Sequence, residues 1–261
     1  AGTGESGIQF YGATSNDSIE AYYYAGSYQW RLNTTAVFRD PSAWYHLVFA
    51  FDSTQATATN RMKIYLNGSQ ITTFSTQTTV SLNATSVWNA SNQNGVGLAW
   101  NTSGVVFGYY DGYITEFNNI DGQALTPSSF GVYNSDNIWV PQTYSGTYGT
   151  NGFYLPFSDN SALTTASNVG IGKDFSGNTN YWITNSISLT SGVTYDSMID
   201  TPTDAASATQ PVSNYCVLDP FNTSPTKPTN GNLTVPSGSA SNRNAFGNMV
   251  CPSGKWYWEI T

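Results

Sequence analysis

Charge is scarce in this 261-residue chain. Lys and Arg number 8, Asp and Glu 16, together 9% of residues, and the net charge is −8. Nucleic-acid binding draws on clustered cations, and eight dispersed ones do not supply it, so no nucleic-acid partner is expected. An anionic membrane surface is disfavoured on the same ground. No apolar run approaches the roughly 18 residues that span a bilayer, so membrane insertion is not expected either. No basic-then-apolar start reads as a signal peptide, although the chain opens at Ala1 and stops at Ile260-Thr261 inside a strand pattern, and so reads as a piece of something longer.

Cysteine and histidine are as sparse. Cys216 and Cys251 are either small buried thiols or one disulfide worth about 3–4 kcal/mol of loop-closure entropy. With no CxxC or Cys/His cluster, zinc is not expected. The four glutamates, Glu5, Glu20, Glu116 and Glu259, have no carboxylate two residues away, so the acid pair of glycoside hydrolysis is missing. The single His46 lies in an apolar stretch without an activated Ser or Cys signature, which reads as a structural imidazole rather than a triad member. No enzyme is expected.

What is abundant is aromatic and small-polar. Aromatics make up 15% of the chain and Gly, Ser, Thr and Asn fill much of the rest, the composition of a folded, charge-poor β protein. Residues 43–68 carry the clearest local signal: apolar β-formers run over 44–51 and 62–66, a Ser/Thr/Ala/Asn stretch separates them, and Asn67-Gly68 follows as a tight turn. Asp52, just past the first run, is placed to bond the backbone where the strand leaves its sheet. Short strands are expected at 7–11, 19–24 and 28–32, then at 71–82, 95–100, 105–110 and 113–120. Thr126-Pro127 would start one helical turn. No sustained helical period occurs, so the fold class is all-β, an antiparallel sandwich.

The phrases Asp40-Pro41-Ser42-Ala43-Trp44-Tyr45-His46-Leu47-Val48 and Arg61-Met62-Lys63-Ile64-Tyr65-Leu66-Asn67-Gly68 resemble the central hairpin of laminin-G-like domains, which are concanavalin A-like jelly rolls. Gly112-Tyr113-Ile114-Thr115-Glu116-Phe117 and its continuation to Gly131 resemble the closing strand and turn of the same domain. Phe153-Tyr154-Leu155-Pro156-Phe157-Ser158-Asp159, with Lys173-Asp174-Phe175-Ser176-Gly177-Asn178, is similar to the family's opening strand and turn; it supplies an edge strand or begins a second sandwich. Gly254-Lys255-Trp256-Tyr257-Trp258-Glu259-Ile260 and the strands before it resemble the start of a SPRY-like domain. The expected organisation is therefore a laminin-G-like sandwich at 1–140 without its N-terminal strands, a linker with added edge strands at 141–212, and a SPRY-like beginning at 213–261. A comparable order occurs in phage and marine-viral virion proteins.

The resemblance implies a non-enzymatic module on a virion surface, in a tail fibre, receptor-binding or capsid-decorating protein. Its partners would be host cell-surface glycans or a receptor, other virion proteins, and further copies of itself. A ligand-free structural spacer and a secreted polysaccharide-binding or -degrading module are the alternatives. Calcium is the cofactor that the resemblance brings, with Asp52, Asp111 and Asp121 as carboxylates at strand ends, whose other reading is turn capping. Exposed aromatics would make a carbohydrate platform, since sugars present apolar C–H faces to rings. Trp88 and Trp100, which flank a polar loop, and Tyr109 and Tyr110 are the candidates. About half of each aromatic cluster, including Tyr22, Tyr23, Tyr24, Tyr28 and Trp30, must point inward.

Overall fold

The computed structural model describes residues 4–11, 17–40, 43–86, 88, 94–100, 106–190 and 196–197, with isolated positions at 206–207, 210–211, 218, 235 and 246–247. Of Tyr11, Trp100 and Phe107 only the backbone is described.

Alternation of apolar and polar residues sets the first sheet. Strands β1 (Glu5–Tyr11), β2 (Ser18–Tyr24) and β3 (Tyr28–Thr34) form a meander, and the later strand β7 (Phe74–Thr78) adds to β3, giving the order β1-β2-β3-β7. The register pairs Ala21 with Leu32 and Glu20 with Asn33. Because successive side chains face opposite ways, Ile19, Ala21, Trp30 and Leu32 fall on one face, and Glu20, Tyr22, Arg31 and Asn33 on the other.

The second sheet, β4 (Leu47–Phe51), β5 (Met62–Leu66) and β6 (Ser69–Gln70), pairs Phe49 with Ile64 and Phe51 with Met62. These side chains meet the inner face of the first sheet: Ile19, Ala21, Trp30, Leu32, Met62, Ile64 and Val80 form one buried core. Trp30 stacks on Phe49 at 6.2 Å. Each large apolar side chain so buried contributes about 1.5–3 kcal/mol. Asn67-Gly68 makes the expected two-residue turn between β5 and β6, with φ of 46° and 82° and Leu66 opposite Ser69. Both residues at positive φ is the geometry that favours Asn-Gly.

Three two-stranded sheets follow. They join β8 (Leu98–Trp100) to β9 (Val106–Tyr109), β10 (Phe117–Asn119) to β13 (Phe153–Leu155), and β11 (Gly131–Tyr133) to β12 (Trp139–Pro141). The described residues thus form an all-β chain of several antiparallel sheets, none closed, with short 3-10 turns as their only helical pieces.

Several elements are shorter than expected. The strand expected from Tyr113 begins only at Phe117, because Glu116 sits at φ 54° and breaks the extension. Leu47, not Trp44, opens β4. The turn at Pro127–Ser129 forms, but Thr126 makes no side-chain cap bond and its Oγ1 lies 2.9 Å from Ser128 Oγ instead.

The β11–β12 hairpin, unforeseen in the sequence, docks on the Asn67-Gly68 turn. The Trp139 ring lies where Cβ atoms on Gly68 and Gly131 would be, 2.4 Å from each. Tyr133 OH donates to the Asn67 carbonyl at 3.1 Å, and Trp139 Nε1 donates to His46 Nδ1 at 3.1 Å. His46 in turn exchanges bonds with Asn67, its N–H reaching Asn67 Oδ1 at 2.9 Å. The Trp139 bond holds the imidazole in place, and burial lowers its pKa.

By contact the chain divides into units Ala1–Tyr154 and Leu155–Thr261. In the described part of the second, buried Asp174 organises the loop: its carboxylate accepts from Ser176 N–H and Oγ and from Asn180 N–H, while Asn168 brackets its backbone. Buried Thr164 does the same nearby, accepting from Gly172 N–H at 2.7 Å. Two-residue strands β14 (Ala206–Ser207) and β15 (Gln210–Pro211) pair further on, and Leu218 bridges Gly247. Cys216, Cys251 and the Trp256 phrase lie outside the described residues.

Candidate functional site

Among the described residues strand β1 is an edge, paired on one side only. Its inner-face residues overhang the core, so Ile8 and Phe10, which sit opposite Ala21 and Ile19, stay 48% and 36% exposed. Against Phe10 the chain brings rings from two other stretches. Between β3 and β4 come Phe38, anchored by its N–H to the Asp17 carbonyl at 2.7 Å, and Tyr45. After β9 comes Tyr110, held by its N–H to the Gly97 carbonyl at 2.9 Å. Phe10 lies 6.1 Å from Phe38, 6.1 Å from Tyr45 and 6.3 Å from Tyr110, and Phe38 is 5.5 Å from Tyr45.

Next to these rings, Trp44 pairs with Tyr113 at 6.5 Å. A Cβ on Gly112 would lie 2.8 Å from the Tyr110 ring, so a larger residue there would force the two apart. Trp44, Tyr110 and Tyr113 are each about two-fifths to one-half exposed, and Tyr109 is 77% exposed. Edge-to-face and offset pairs at these separations hold the rings in place while leaving faces to solvent. Burial raises the pKa of Tyr110, and burial plus the Asp111 carboxylate raises that of Tyr113, so both phenols stay neutral donors and acceptors. Asp111 and the exposed Arg39–Asp17 ion pair, 2.7 Å apart, add polar groups on the same three stretches of chain. Rings flanked by hydroxyls and carboxylates are the chemistry that stacks and hydrogen-bonds a sugar.

Of the residues singled out in the sequence, Tyr110 lies on this rim, whereas Tyr109, 77% exposed, is joined to none of these ring pairs among the described residues. Trp88 is elsewhere: its ring packs 5.0 Å from Phe49, 5.4 Å from Trp30 and 6.3 Å from Phe51, on the shared core. The Trp100 backbone is in β8 and its side chain lies outside the described residues. Asp52, Asp111 and Asp121 do not converge, and no group of three His, Cys, Asp or Glu side chains suited to a metal occurs among the described residues. Calcium takes six to eight oxygens; each of these places offers one carboxylate. Asp52 accepts from Thr54 Oγ1 and Gln55 Nε2, both at 2.6 Å, and from Thr54 N–H at 3.0 Å, bonds that hold its carboxyl below the usual range. Asp121 Oδ2 accepts from Asn151 N–H and Nδ2 at 3.1 and 3.0 Å, bracing the end of β10.

Phe10, Phe38, Trp44 and Tyr45 belong to the rim without having been singled out for binding. One signal was present: in extended chain the adjacent pair Trp44-Tyr45 cannot turn both rings inward.

The outer face of the first sheet carries a second aromatic group. Its polar members are already satisfied. Glu20 is buried, with Gln9 Nε2 donating to Oε2 at 2.7 Å and the Arg31 guanidinium ion-paired to Oε1. Arg31 also lies over the Tyr28 ring at 4.4 Å, and Ser18 Oγ donates to Asn33 Oδ1 at 2.7 Å. Burial, with Glu5 and Glu20 nearby, pushes the Tyr22 phenol up to about 12. No family model, curated protein or solved structure matches the chain.

Proposed function

We propose that the chain is a concanavalin A-like jelly-roll module of a virion-surface protein, non-enzymatic, which attaches to host cell-surface glycans through its aromatic rim. Two antiparallel sheets sharing one core support the jelly-roll reading. The observation that carries the attachment reading is the set of rings on three separate stretches, Phe10 against Tyr45 and Tyr110 and Trp44 against Tyr113, of which Phe10, Trp44, Tyr110 and Tyr113 are exposed. Shallow ring stacking gives weak single contacts. Presented in many copies with other virion proteins, such contacts gain about 10²–10⁴ in avidity through effective concentration.

The test is binding of the full chain, clustered on beads, to a glycan array and to host cells, compared with Trp44→Ala, Tyr109→Ala and Tyr110→Ala. All three rings are substantially exposed, so the fold is expected to persist while attachment falls. Attachment unchanged in all three variants would remove the rim as the binding surface.

A further inference from the structure

The outward face of the second sheet carries a hollow that the attachment reading does not use. Cross-strand neighbours Ala50 and Lys63 form its floor with Tyr65, and these positions alternate with the core-facing Phe49 and Ile64. Asp52, Asn60 and Leu125 also line this half-open hollow, whose volume is about 130 Å³. At about 30 Å³ per water, that is room for roughly four waters, or for part of one sugar ring with the remainder in solvent.

Its walls are fixed in advance. The Arg61 guanidinium donates to the carbonyls of Gln55 at 2.8 Å, Ala56 at 3.1 Å and Val80 at 2.9 Å, locking the loop that carries Asn60. Asp52 is locked by Thr54 and Gln55. The lining residues Leu125 and Thr126 lead into the Pro127–Ser129 turn, closed by Ser129 N–H to the Thr126 carbonyl at 3.1 Å.

Its polar groups are unevenly satisfied. Three of the roughly four acceptor positions of the Asp52 carboxylate are filled, which leaves one. The Lys63 ammonium, the Tyr65 hydroxyl and the Asn60 side-chain amide make no hydrogen bond among the described residues. Lys63 lies close enough for its charge to help hold Asp52 ionised, so the two charges offset and the hollow is neutral overall. A polyanion would meet Asp52 locally and the net charge of −8 at long range. A neutral ligand with adjacent hydroxyls meets neither. One hydroxyl accepts from Lys63, its neighbour donates to Asp52, and the Tyr65 ring and Leu125 cover the C–H groups between.

We propose that this hollow is a second saccharide subsite, which takes a neutral sugar through a pair of vicinal hydroxyls held between Lys63 and Asp52. It rests on the attachment reading for its ligand class, while its location and its preference for neutral sugars come from its own residues.

The experiment is saturation-transfer NMR titration of the full chain with D-galactose, D-mannose, D-glucose, N-acetylglucosamine and D-glucuronate. The proteins are the parent, Lys63→Met, Tyr65→Phe and the rim variant Tyr110→Ala, each with its urea midpoint measured. The expected result is millimolar binding of at least one neutral sugar at two independent places, the subsite's share of the signal lost in Lys63→Met and the rim's separate share lost in Tyr110→Ala. Preference for glucuronate, or binding indifferent to both Lys63→Met and Tyr65→Phe, overturns the subsite. Loss in Tyr110→Ala alone sinks the subsite and leaves the rim standing; loss in Lys63→Met alone does the reverse. No binding by any neutral sugar at about 50 mM overturns both.

Discussion

Replacing Gly68 by Ala tests whether the docking of the β11–β12 hairpin is part of the fold's stability. Gly68 has φ 82°, and a left-handed conformation costs an L-residue about 1–2 kcal/mol. A Cβ there would also lie 2.4 to 2.8 Å from three atoms of the Trp139 ring, closer than carbon atoms approach, so the indole must move. Overpacking of this kind costs about 1–3 kcal/mol, giving about 2–5 kcal/mol in all. Gly26 supplies the control: it has φ 78° in the β2–β3 turn and nothing within 4 Å of its added Cβ. Gly26→Ala should therefore lose only the backbone part, about 1–2 kcal/mol. Urea unfolding of both variants and the parent, followed by tryptophan fluorescence, gives the comparison through the shift in midpoint at constant slope. Equal midpoint shifts would refute the reasoning, because they would mean that Trp139 does not press on the turn.

Two further outcomes follow from buried titratable groups. Because burial lowers the pKa of His46, the folded state binds its proton less readily than the unfolded chain, so stability is complete above about pH 6.5 and falls as pH drops through that value. As His46 is the sole histidine, its NMR titration is unambiguous; a midpoint at or above about 6.5, or one unmoved by Trp139→Phe, contradicts the arrangement. Glu116 is half-buried, which raises its pKa, and the Tyr154 hydroxyl donates to its Oε2. Tyr154→Phe should cost about 1–3 kcal/mol at neutral pH, where the carboxylate loses its donor, and distinctly less near pH 4, where the group is protonated. A loss independent of pH would show that the hydroxyl's contribution does not depend on the charge of Glu116, against this reading.

What could be read from the sequence was local. Asn67-Gly68 carries its turn in two residues, and the alternation of Ile19, Ala21 and Tyr23 against Glu20 and Tyr22 sets the sheet faces without help from elsewhere. The β11–β12 hairpin was hidden because Gly131-Val132-Tyr133 and Trp139-Val140-Pro141 are each too short to show a period. Its anchor, Trp139, finds its place against Gly68, 71 positions earlier, and His46. Trp88 reads as a surface residue because its neighbours in sequence are polar, yet the cavity it fills is made by Trp30, Phe49 and Phe51. The rim was half legible for the same reason: Tyr109, Tyr110 and Tyr113 are adjacent, but Phe10 and Trp44 join them only once the edge strand and the β3–β4 connection are in place.

Arg61 grips its loop by main-chain oxygens alone, those of Gln55, Ala56 and Val80. Every residue type carries that oxygen, so the arch between β4 and β5 is released from dependence on its own lettering at 55 and 56. Those side chains can be exchanged in single steps without losing this hold on the arch, provided Arg61 stays.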